Sequence, residues 1–227
     1  MKKFNKYFYS LLFFVIAFID VFAQQQPFQS DIQAFKEQDS VHFPPKDAIL
    51  FVGSSSFTKW TDVQDYFPGF TIINRGFGGS SLPDVIRYAD EIIFPYYPMQ
   101  IVIYCGENDF AASDTVSVQT VFSRFKQLFQ LIREKLSDVP IAYVSMKPSP
   151  SRQKLMPKFE AANGLIKNYL ETKKNTSFID VYHKMLNKDG TPMKDIFLED
   201  NLHMNAKGYH VWQKIMKPYL YFVNGRK

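Results

Sequence analysis

A single cysteine, Cys105, stands in a chain of 227 residues, so no intrachain disulfide can form and stability must come from packing. Cys105 itself reads as a small buried hydrophobe, the usual state of a free cysteine, in preference to a nucleophile. There is no H-E-x-x-H motif and no paired-cysteine spacing, so neither a metal nor another cofactor is expected. No basic cluster lies beyond the first few positions, which argues against a nucleic-acid partner. Internal repeats and low-complexity tracts are also missing. What is present is a chain of one-domain length in which 17% aromatic residues can contribute to a sizeable core.

The first 23 residues read as an export signal. Lys2, Lys3 and Lys6 precede an apolar run, residues 7–22, broken only by Ser10 and Asp20. Val21-Phe22-Ala23 then places small side chains where a signal peptidase cuts before Gln24. The run is shorter than the roughly 20 apolar residues of a spanning helix, so no stable membrane anchor is expected after cleavage. Cleavage would leave residues 24–227 as one exported domain, periplasmic or extracellular. Loss of three lysines and one aspartate would lower the formal charge from +5 to +3.

Five apolar stretches alternate with helical patterns. Residues 48–52, 70–74, 100–105, 140–146 and 176–181 read as strands. A short helix is expected near 31–37, and others at 57–66, 82–93, 116–136, 155–170 and 205–222, the last capped by Asn205. Crossovers of a dozen or more residues imply parallel strands in one sheet with helices on both faces. Polar loops after strands one, two, three and the fifth-strand region then converge on one sheet edge, where open α/β sheets bind ligands.

The first of these loops is G-S-S-S. Gly53 permits an immediate turn, and Ser54, Ser55 and Ser56 follow where a helix could begin. An N-capping run of serines would look the same, and a catalytic serine needs in addition a base and a group that orients it. Of four histidines, His42 precedes the first strand, at the wrong edge, and His210 lies inside the last helix. Two aspartate-x-x-histidine segments remain, 180–183 and 200–203. Spacing cannot separate them. Strand alternation is expected to turn Asp180 away from His183, which favours Asp200 and His203 in their loop. Donors for a tetrahedral oxyanion could be the Ser55 N–H, the Gly79 N–H in the glycine-dense loop 75–81, and the Asn108 amide after the third strand. Taken singly, Gly79 reads as a turn glycine, Asn108 as a loop cap and His203 as a hydrogen-bonded loop histidine.

In order, G-S-S-S, N-R-G-F-G-G, G-E-N-D and D-N-L-H resemble the four blocks of the SGNH hydrolase superfamily, also called GDSL-type lipases and esterases, from Ile49 to about Tyr209. The resemblance implies a flavodoxin-like three-layer α/β/α sandwich with a five-stranded parallel sheet. It implies Ser55 as nucleophile, His203 as base and Asp200 as its orienter. The Ser55 N–H, Gly79 N–H and Asn108 side chain would form the oxyanion hole. Where the family has G-D-S this chain has Gly53-Ser54-Ser55, so the aspartate before the nucleophile is missing, and the choice among three serines rests on register with the family. The G-x-S-x-G elbow of the ordinary α/β-hydrolases is absent.

The resemblance and the export segment together imply an esterase for a small acyl group, acetyl being the expectation, on a small-molecule or carbohydrate ester. A catalytically silent glycan- or anion-binding module and a sugar O-acyltransferase are the alternatives. Lys147 and Arg152, in the loop after the fourth strand, could hold an anionic group of the substrate or be solvated surface charge. Trp60, Phe110 and Tyr97 could stack on a sugar or line an acyl pocket, or pack in the core. No apolar lid of the kind a long-chain lipase carries is evident. Oligomeric state is not legible.

Overall fold

Alternation along apolar strands builds the two cores of this molecule. The computed structural model describes residues 26–222, so the expected export segment, residues 1–23, lies outside the described residues. Strands β1 (Ile49–Gly53), β2 (Ile72–Gly76), β3 (Gln100–Tyr104), β4 (Ile141–Val144) and β5 (Thr176–Ile179) form one sheet in the order β2-β1-β3-β4-β5, every pair parallel. Leu50, Val52, Ile101, Ile103, Ile141 and Tyr143 point to one face, and Ile49, Phe51, Val102, Tyr104, Ala142 and Val144 to the other. Because both faces are covered, β1 and β3 are apolar throughout their middles instead of alternating with polar residues.

The first face is covered by α1 (Gln29–Val41), α4 (Leu82–Arg87), α5 (Ala89–Ile92), α7 (Val118–Lys135) and α8 (Met156–Glu171). In α7 the buried residues Val121, Phe125, Leu128, Phe129 and Ile132 recur at three- and four-residue steps, one stripe of an amphipathic helix. The second face takes α2 (Ser55–Thr58), α3 (Val63–Tyr66) and α9 (Ala206–Met216), with Trp60, Tyr66, Tyr209 and Trp212 as an aromatic cluster. One further short helix, α6 (Glu107–Ala111), follows β3 at the sheet's carboxyl edge. The result is the expected three-layer sandwich.

Several boundaries differ from the sequence reading, among them a break at Tyr88 that divides the helix expected at 82–93 into α4 and α5. The single helix expected at 57–66 is split into α2 and α3, because the Trp60 ring turns into the core and stacks on Tyr209 at 4.7 Å. β2 begins and ends two residues later than expected, since Gly76 pairs with Gly53 at the end of β1 and a side chain there would sit 2.7 Å from the Phe57 Cβ. The helix expected to reach 222 stops at Met216, and a 3-10 turn containing Pro218 follows.

Candidate active site

The turn after β1 is fixed by steric exclusion. Gly53 has φ +136°, and a Cβ placed on it would lie 1.9 Å from the Tyr104 carbonyl oxygen of β3. Only glycine fits. The Ser54 N–H donates to that carbonyl at 3.0 Å, and the Ser80 hydroxyl donates to the Gly53 carbonyl at 3.0 Å. The three carboxyl ends of β1, β2 and β3 are thereby locked together. The Ser54 hydroxyl does not cap α2, so the serine run is not a capping device.

Ser55, the first residue of α2, meets the loop before α9. Its Oγ lies 3.0 Å from His203 Nε2, and His203 Nδ1 lies 2.6 Å from Asp200 Oδ2. Asp200 Oδ1 also accepts the backbone N–H groups of Leu202 and His203, both at 2.9 Å. Partial burial pushes the Asp200 carboxyl up, but the ring and backbone N–H bonds and the His203 charge outweigh it and hold the pKa at about 2. An ionised Asp200 only accepts, so the proton of a neutral His203 sits on Nδ1 and Nε2 is free to accept from the Ser55 hydroxyl. Asn205 caps α9 with its side chain, as the sequence implies.

Asn108, in α6, reaches the same spot. Its Nδ2 donates to Ser54 Oγ at 2.7 Å and to the Ser80 carbonyl at 2.9 Å, so both amide hydrogens have partners. Gly79 lies in the loop after β2 with φ +88°, and a Cβ there would meet only the Phe28 ring, at 3.7 Å. Its backbone conformation, not lack of room, calls for glycine.

The aspartate-x-x-histidine segment at 180–183 also closes on itself. His183 Nδ1 lies 2.7 Å from Asp180 Oδ2, and the His183 N–H donates to Oδ1 at 3.2 Å. The alternation argument against this pair therefore fails: β5 ends at Ile179, and the 3-10 turn at His183–Met185 carries the ring back over Asp180. What separates the two pairs is the neighbour. His203 faces Ser55, whereas His183 faces Glu160, at 3.7 Å.

Of the five expected substrate contacts, Trp60, Tyr97 and Lys147 need correction, whereas Arg152 and Phe110 line a groove. Trp60 is wholly buried in the second core and presents no face to a ligand. Tyr97 is exposed but precedes β3, at the sheet edge opposite the serine. Lys147 is neither a surface charge nor a free anion ligand: its side chain is 2% exposed, and Nζ lies 3.3 Å from both Glu107 carboxylate oxygens and from the Tyr104 hydroxyl. Burial lowers its pKa, and the Glu107 charge opposes that shift. Arg152 donates to Glu107 Oε2 at 3.2 Å and to Asn108 Oδ1 at 2.7 Å. Phe110 is buried against Phe159, with an edge on a groove of about 760 Å³ that Asp114, Arg152 and Gln153 also line.

Beside Ser55 itself lies a cavity of only about 10 Å³, lined by Asn108, Lys147, Arg152 and Leu202 among others. Glu107 and Tyr104, whose hydroxyl is hydrogen-bonded to the Glu107 carboxylate, were not singled out by sequence reasoning. The available signal was opposite charge at adjacent strand ends, Glu107 after β3 and Lys147 after β4. Among the described residues, no three His, Cys, Asp or Glu side chains stand together as metal ligands would.

The family model for GDSL-like lipases and acylhydrolases matches residues 51–211, well over half of the chain. The chain belongs to that family. As a GDSL-type acylhydrolase it is an ester-hydrolysing enzyme by family. Solved structures agree in fold. A GDSL-like lipase from Bacteroides thetaiotaomicron superposes with a TM-score of 0.69 at 18% identity, covering 83% of this chain and 96% of its own. A lipase/acylhydrolase from Enterococcus faecalis gives 0.58 at 18% identity, over 76% and 94%. A variant of an acetyl-xylooligosaccharide esterase from Geobacillus gives 0.60 at 14% identity, over 79% and 95%. No curated protein sequence matches the chain.

Proposed function

We propose that this GDSL-type acylhydrolase is a serine esterase that removes a small acyl group, acetyl in the first instance, from a carbohydrate or similar polar alcohol. The observation that carries the reading is the 3.0 Å approach of Ser55 Oγ to His203 Nε2, with Asp200 behind the ring. Ser55 Oγ attacks the ester carbonyl as His203 Nε2 takes its proton, and the imidazolium is stabilised by ionised Asp200. The oxyanion is held by the N–H groups of Ser55 and Gly79 and by Asn108 Nδ2. Asn108 must then exchange the neutral Ser54 hydroxyl for a charged oxygen, which favours the change because charge-assisted hydrogen bonds are roughly twice as strong. Collapse expels the alcohol with the proton from His203. Water, deprotonated by the same ring, then hydrolyses the acyl-Ser55 ester and releases the acid.

The space beside Ser55, about 10 Å³, is no larger than one water needs, so any acyl group requires it to open and a small one requires the least opening. A bulky polar alcohol is supported by the groove of about 760 Å³ that shares Arg152 with that space and carries both charged and aromatic edges. The fold likeness to an acetyl-xylooligosaccharide esterase is in keeping with this choice. The test is hydrolysis of p-nitrophenyl acetate, butyrate and octanoate by the wild type and by Ser55→Ala, His203→Ala and His183→Ala. Activity is expected to fall with chain length, to drop by a factor of about 10³ or more in the first two variants, and to persist in His183→Ala. Equal rates in wild type and Ser55→Ala would refute the reading.

A further inference from the structure

Asn108 carries an amide whose oxygen and nitrogen ends differ only by a half-turn, yet only the nitrogen end can stabilise an oxyanion. Its surroundings decide the orientation. The Ser80 carbonyl can only accept, so it requires Nδ2, at 2.9 Å. The Arg152 guanidinium can only donate, so it requires Oδ1, at 2.7 Å from Nη2. Arg152 is itself oriented, because its other terminal nitrogen, Nη1, donates to Glu107 Oε2 at 3.2 Å. Glu107 is held in turn by buried Lys147 and by the Tyr104 hydroxyl. A cationic donor on Oδ1 also draws electron density from the amide and makes Nδ2 a stronger donor.

We propose that Arg152 is a positioning residue: clamped by Glu107, it aims and polarises the Asn108 amide toward the oxyanion. The inference rests on the role of Asn108 proposed above and goes beyond it, because Arg152 also lines the large groove and could instead contact the substrate directly. The two alternatives differ in kinetics. A residue acting through Asn108 affects kcat and has nothing left to act on when Asn108 is gone, whereas a substrate ligand raises KM and keeps its effect.

The experiment is a double-mutant cycle with p-nitrophenyl acetate, comparing wild type, Asn108→Ala, Arg152→Met and the double variant. Arg152→Met is expected to lower kcat roughly 10- to 100-fold with KM within about twofold. In the Asn108→Ala background it should cost less than about twofold more. Arg152→Lys keeps a cation opposite Glu107 and guards against misfolding of the methionine variant. It should also lose kcat, since one ammonium group cannot replace a fork that spans Glu107 and Asn108. Wild-type kcat in Arg152→Lys, multiplicative losses in the double variant, or a loss confined to KM would each overturn the proposal while leaving the oxyanion role of Asn108 standing. An unchanged rate in Asn108→Ala would remove both.

Discussion

At Asp200 three N–H donors converge on one half-exposed carboxylate and hold its pKa at about 2, against an ordinary 3.8. A depressed carboxyl pKa contributes stability above the unfolded value, and that contribution is lost as pH falls from about 3.8 through about 2. Asp200→Asn should therefore show a smaller fall in Tm than the wild type when pH is lowered from about 4 to about 2, measured by thermal melts. Equal falls would mean that the carboxylate gains nothing from folding. The same residues show where sequence legibility stops. Asp180 and His183 have the same spacing as Asp200 and His203 and make the same local closure, because an aspartate can accept from the backbone and ring of the third residue on in any tight turn. Only the position of Ser55, 148 residues away in sequence from His203, tells the pairs apart. Lys147 was misread for a similar reason. Its neutralising partner sits on another strand end, and nothing within residues 147–152 announces it.

Among the elements, β1 and the turn into α2 were the most legible, since an unbroken apolar strand ending in glycine and serines has few other solutions. The helices α7 and α8 were legible through their periodicity. β2 was offset by two residues, because its register is fixed by close approach at Gly76 and not by hydropathy. The helix expected at 57–66 was interrupted by one tryptophan that packs better inside than along a helix face. The joint at Gly53 is the most demanding feature at this scale. Gly53→Ala forces a methyl group against the Tyr104 carbonyl at a φ that L-residues avoid. Destabilisation of about 2–6 kcal/mol is expected from strain and overpacking together, measured by urea unfolding. A variant with wild-type stability would show that β1 and β3 can part without cost.

Across the whole molecule, the order β2-β1-β3-β4-β5 makes β1 the point where successive connections diverge, so the loops after β1, β2 and β3 border one crevice. The loop before α9 brings His203 to it from the far end of the chain. Buried Glu107 and Lys147 then bind the ends of β3 and β4 into the wall of that crevice. The protein thus has two aspartate–histidine couples on one scaffold, and they differ greatly in accessibility: the His183 side chain is 61% exposed and that of His203 only 15%. His42 and His210 are exposed as well. A carbethoxylating reagent such as diethyl pyrocarbonate would consume these three outlying imidazoles before it reached the sheltered one. If His203 is the base proposed above, absorbance at the modified rings should run ahead of inactivation, and a titration that equated the first labelled histidine with that base would name the wrong residue. Inactivation in step with the first equivalent would contradict this order of reaction.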